Sequence, residues 1–194
     1  HPELSRAPIK EGLTPLGLAL RAGMSSEKKA LLASYISPLS FDELIGLGRA
    51  EDARAMLEID PDLVRQPASD GLSPLMVAML NDQPESVDLL LSAGVDPNWA
   101  GRDVENVSPI EMAIFQKNAS LAERLFNLGA DPQRRLHKDG GTLIHLAALV
   151  SDRELVELLI KRGVDPMVPN QDGETPYEAN LRAINEALVA EPHP

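Results

Sequence analysis

Four histidines and thirty carboxylates are the groups with which this 194-residue chain could do acid–base or metal chemistry; it has no cysteine. His1, His137 and His193 fall in predicted loops or terminal segments and lack metal-ligand spacing. The missing cysteine excludes disulfides, thiolate metal sites and cysteine nucleophiles. No H-E-x-x-H, phosphate-cradling P-loop or G-x-S-x-G elbow occurs. With so many carboxylates some pairs fall at suggestive spacings, and without a buried pocket they read as solvated faces. No cofactor or metal ion is therefore expected. What remains is the chemistry of recognition. The stretch "QRRLHKDGG" sets Arg134, Arg135, His137 and Lys138 together in an otherwise acidic chain. Guanidinium groups make bidentate contacts with carboxylates, so this stretch could meet acids of a partner, or pair internally with acids of a neighbouring turn. The stretch "NWAGRDVENV" carries the only tryptophan, Trp99, with Arg102 and Glu105. Tryptophan is enriched at interface hot spots; the alternative is that Trp99 folds against its own turn.

Charge bounds the choice of partner. The formal net charge is −12, which argues against nucleic acid, since phosphate binding needs a basic face. Residues 51–105 hold twelve acidic and three basic side chains, and residues 117–138 hold two acidic and five basic. That split suits a protein partner of mixed charge. No apolar run approaches the roughly 20 residues of a membrane span. The first residue is His, so a removed export signal is compatible with the sequence, as is a cytoplasmic setting.

These side chains must be positioned by helices, because the chain repeats itself. "SPLMVAML" starts at Ser73, "SPIEMAIF" at Ser108, "TLIHLAAL" at Thr142 and "TPYEANLR" at Thr175, at intervals of 35, 34 and 33 residues. Fainter copies start at Thr14 and Ser40, the first pair only 26 apart, so that connection must be shortened. Ser or Thr followed by Pro predicts an N-cap and first helical residue. Val87, Leu90 and Leu91 at i, i+3 and i+4 predict a second helix. The sequence Gly-x-Asp-Pro at Gly94, Gly129 and Gly163 ends that second helix. Asp-Gly at 70–71, 139–140 and 172–173 predicts the turn that follows.

This pattern resembles the ankyrin repeat, T-P-L-H-x-A in a unit of about 33 residues, over roughly residues 11–188. The resemblance implies an all-α solenoid of stacked helix-turn-helix units with β-turn fingers, and binding of protein partners through turn tips and the concave face of the first helices. The domain is expected at 14–188, in five to six units starting near 14, 40, 73, 108, 142 and 175, with degenerate end units. Residues 1–13 form an irregular arm and 189–194 a tail. His145 matches the family histidine, which makes structural bonds between turns. The other fourth positions, Gly17, Glu43, Met76, Glu111 and Glu178, lack that histidine, so weaker turn-to-turn bonding is expected there. Met76 and Glu111 are expected on the concave face with the turn residues Trp99, Arg102, Glu105, Arg134, Arg135, His137 and Lys138. The chain is similar to small stand-alone bacterial ankyrin proteins, some exported, that cap a toxic effector or cell-wall hydrolase. That likeness implies a non-catalytic, monomeric binder that inhibits or protects, with a cytosolic adaptor joining two proteins as the alternative.

Overall fold

A computed structural model of the chain describes residues 14–68, 71–99, 107–136 and 140–182. The arm 1–13, the tail 189–194 and the domain end at 188 lie outside them. The chain divides into two compact units, His1–Pro109 and Ile110–Pro194.

The first unit contains three helical hairpins: α1 (Pro15–Arg21) with α2 (Ser26–Ser34), α3 (Phe41–Gly46) with α4 (Ala50–Ile59), and α5 (Pro74–Leu80) with α6 (Pro84–Ser92). Thr14, Ser40 and Ser73 cap the first helix of each, their side chains accepting from the backbone N–H groups of Gly17, Glu43 and Met76. Small residues at the following turn let the first helices stack closely. A Cβ on Gly46 would come within 2.9 Å of Leu20 and 3.1 Å of Val77. The short connection expected between the first two copies is six residues, 35–40, and its Ile36 is buried against Leu16 and Leu20.

The second unit holds α7 (Pro109–Phe115, whose proline closes the first unit) with α8 (Ala119–Asn127), α9 (Leu143–Leu149) with α10 (Arg153–Lys161), and a helix over 176–182. Asn118 and Asp152 cap α8 and α10. Among the described residues all elements are helices and turns apart from one isolated antiparallel bridge, Arg135 to Thr142. The architecture is the all-α repeat class that the sequence predicts.

Burial follows the register of the copies. The third residue of each strong copy, Leu75, Ile110 and Ile144, is essentially inaccessible, as is the alanine or its equivalent three further on at Ala78, Ala113 and Ala147. Leu90, Leu125 and Leu159 are their fully buried counterparts on the second helices. Each buried leucine contributes roughly 1.5–3 kcal/mol. In the last copy Tyr177 holds the third position and is 71% exposed, consistent with a degenerate terminal unit.

The Gly-x-Asp-Pro signature has a complete local explanation. Gly94, Gly129 and Gly163 take φ of 79°, 99° and 83°. The N–H after each bonds back across the last turn: Val95 to Leu90, Ala130 to Leu125 and Val164 to Leu159. This closes a Schellman motif, and the x residue is buried as an apolar clip. The aspartate carboxylates then accept from the N–H groups of Asn98, Gln133 and Met167, two residues on. That bond starts the following turn.

Candidate functional site

The residues expected to bind a partner fall into three groups. Arg102, Glu105, His137 and Lys138 lie outside the described residues. Met76 and Glu111 are built into the structure. Met76 is fully buried, because its helix is covered on that side by its neighbours, so its side chain offers no contact surface. Glu111 is 5% exposed and accepts a hydrogen bond from Arg134 Nε at 2.8 Å. Both depart from the expected open concave face. Arg134 is correspondingly three-quarters buried at its side chain, the internal pairing that the sequence left open.

The remaining two residues are accessible. Arg135 is exposed but reaches back to the carbonyls of Gly140, at 2.7 Å, and Pro169. Trp99 is half-buried, with its backbone N–H donated to the Asp96 carbonyl.

Three of the fourth positions, Glu43, His145 and Glu111, bond to a neighbouring copy or turn. Thr142 N–H donates to His145 Nδ1 at 3.1 Å, which puts the ring proton on Nε2, facing the Glu174 carbonyl at 3.1 Å. Glutamate fills the same role elsewhere. Glu43 accepts from its cap residue's N–H, at Ser40, and from the Thr14 hydroxyl of the preceding copy at 2.8 Å. Glu178 accepts from the N–H and hydroxyl of Thr175. Those bonds hold its carboxyl below the usual glutamate pKa. A carboxylate at the third helical residue closes a capping box as well as the histidine does, so the expected weakening is absent at Glu43, and Glu111 bonds to the next turn through Arg134.

Sequence reasoning missed the ends of the first helices. Leu80, Phe115 and Leu149 are the last residues of α5, α7 and α9, and are 39%, 51% and 52% exposed. Each is the eighth letter of its copy, so the register was in the sequence. It was hidden because an apolar residue there reads as core. With Trp99 they are accessible large apolar groups on or beside the expected binding elements, as are Met167 and Tyr177.

Among the described residues no group of three His, Asp or Glu side chains could hold a metal ion, and no helix is long and apolar enough to cross a membrane. An open cleft of about 310 Å³, lined by Ile36, Pro38, Leu39, Leu44 and Met56, has an Arg49–Asp52 ion pair at its edge and gathers no other titratable group.

The family model for ankyrin repeats in three copies matches residues 3–135, and that for ankyrin repeats in many copies matches residues 133–178. An ankyrin repeat protein of fowlpox virus is 31% identical over 125 residues, 61% of this chain and 37% of the viral protein. Human ankyrin repeat and SOCS box protein 6 is 27% identical over 150 residues, 74% of this chain and 35% of its own length. Zinc finger CCCH domain-containing protein 50 of rice is 30% identical over 141 residues, 69% of this chain and 20% of its own. The chain thus spans about a third or less of these relatives. They are viral, animal and plant proteins, and lend no support to the expected bacterial exported subtype.

Proposed function

The chain belongs to the ankyrin-repeat family, and on that premise we propose that it works by holding one protein partner and blocking or protecting it. Ankyrin repeats are protein–protein interaction modules, so the coarse function follows from the family. The observation that carries the reading is the recurrence of a large, half-exposed apolar side chain at one register: Leu80, Phe115 and Leu149. Burying apolar area on a partner is the main driving force of association, and a repeated register supplies one such contact from each copy. Trp99 adds an aromatic group of the kind that dominates interface energetics. A partner covered in this way loses access to its own surface, which is how binding alone can inhibit or protect.

One observation favours a second reading, an adaptor. In the human and rice relatives the matched segment is a minor part of a longer protein, and repeats of that kind can recruit for another domain. The discriminating experiment is a pull-down from the native extract with wild-type chain beside a Trp99→Ala/Phe115→Ala/Leu149→Ala variant. The retained protein is then assayed alone and in complex. One partner, lost by the variant and silenced or stabilised in the complex, supports the blocking role. A partner that stays active and brings a second protein with it supports the adaptor. Equal retention by the variant defeats the assignment of these side chains.

A further inference from the structure

Five first helices in succession end in a Schellman turn whose third position has positive φ. In α1 and α3 that residue is glycine, Gly23 at 61° and Gly48 at 73°. In α5, α7 and α9 it is Asp82 at 52°, Lys117 at 53° and Ser151 at 55°. The hydrogen bonds are the same in both sets. Met24 and Arg49 bond back to Ala19 and Leu44, while Gln83, Asn118 and Asp152 bond back to Ala78, Ala113 and Ala147. The turn therefore demands a left-handed residue whichever side chain it carries. Glycine is the unstrained choice. Lysine has no local hydrogen-bonding compensation of the kind that lets Asp or Asn tolerate this conformation.

Lys117 is exposed, and among the described residues its ammonium has no hydrogen-bond or ion-pair partner. It stands two residues after the half-exposed Phe115. It also begins a stretch, residues 117–138, that holds five basic and two acidic side chains in an otherwise acidic chain. In the next hairpin, whose second helix α10 packs on α8, Leu149 and Ser151 repeat the arrangement of apolar residue and left-handed polar residue. Strain kept where it gives no structural return points to use of the side chain.

We propose that Phe115, Lys117, Leu149 and Ser151 in the second unit form a contact strip for an acidic segment of a protein partner. Apolar side chains of that segment cover Phe115 and Leu149, and a carboxylate pairs with Lys117. This strip follows the ends of the first helices α7 and α9. It rests on the binding-module reading above and names the partner's chemistry.

The test selects a phage-displayed random peptide library on the immobilised full chain, then measures recovered peptides by fluorescence polarisation. Peptides combining Asp or Glu with aromatic or aliphatic residues are expected. Lys117→Glu and Phe115→Ala should each weaken them about tenfold, with binding falling as salt rises. Lys117→Gly should raise the melting temperature yet weaken the same peptides severalfold, a combination that a purely structural lysine would not give. Peptides that are basic, or that bind all variants equally, overturn the strip while leaving the binding-module reading intact. Failure to enrich any peptide counts against both.

Discussion

At Gly94, Gly129 and Gly163 the second helix of a hairpin stops on glycine. At Asp82, Lys117 and Ser151 the first helix stops, through the same pair of backward hydrogen bonds, on a residue with a side chain. Crowding does not explain the difference. A Cβ at any of the three glycines would meet nothing within 4 Å. The second-helix ends are followed by a buried apolar clip and an aspartate that begins the next turn, so nothing is gained there by a projecting side chain. The first-helix ends follow Leu80, Phe115 and Leu149 and face outward with them. One backbone device thus takes two forms: at these second helices it ends the element on glycine at least cost, and at α5, α7 and α9 it carries an exposed side chain.

The comparison can be broken most heavily at its packing. Leu159 is fully buried and its carbonyl receives the Val164 N–H that closes the α10 end. Leu159→Ala should cost about 2–5 kcal/mol, read from the midpoint of urea unfolding, and a loss under 1 kcal/mol would mean that the outer end is not held by its core. Next in size is the internal brace. Arg134→Ala removes a charge-assisted bond from the nearly buried Glu111 carboxylate and should cost about 1–3 kcal/mol, whereas an unchanged midpoint would mean that this bond does not brace the fold.

The glycine–lysine contrast itself predicts a smaller, reciprocal pair. Lys117→Gly should stabilise by about 1 kcal/mol and Gly129→Lys should destabilise by about as much. For a chain of this length each corresponds to roughly 2–4 °C in melting temperature. If both changes destabilise, Lys117 has a structural role that its geometry does not reveal. The smallest effect concerns acid. Glu178 has a lowered pKa in the folded state through its bonds from Thr175. Folding therefore favours its ionised form, and that contribution is full above the ordinary glutamate range and fades as pH falls through the folded value. Glu178→Gln should flatten the acid limb of the stability–pH curve slightly, by thermal melts from pH 6 down to 3; an identical limb would remove that bond from the account.

Most of the fold was legible because it is written in local, repeated chemistry. The Ser/Thr-Pro starts and Gly-x-Asp-Pro stops each satisfy helix-end groups within a few residues, so they can be read without knowing what packs on them. The capping role of Glu43 and Glu178 was also in plain sight, as Ser or Thr followed three residues later by Glu, but attention to the missing histidine turned it into a vacancy. The Arg134–Glu111 brace joins residues 23 apart and depends on stacking, which spacing does not supply. The left-handed Asp82, Lys117 and Ser151 were invisible for a different reason: a reader searches for glycine at such turns, and these positions offer none.

Trp99 has one more consequence. It is the only tryptophan in the chain and belongs to the unit that ends at Pro109. Its fluorescence therefore watches one of the two units, while the helical signal in circular dichroism sums over both. Repeat proteins can lose neighbouring segments at different points, since their stability is a sum over units and junctions. This chain carries its own selective reporter: if the optical and dichroic melts separate, the gap between them measures how strongly one unit's folding depends on the other.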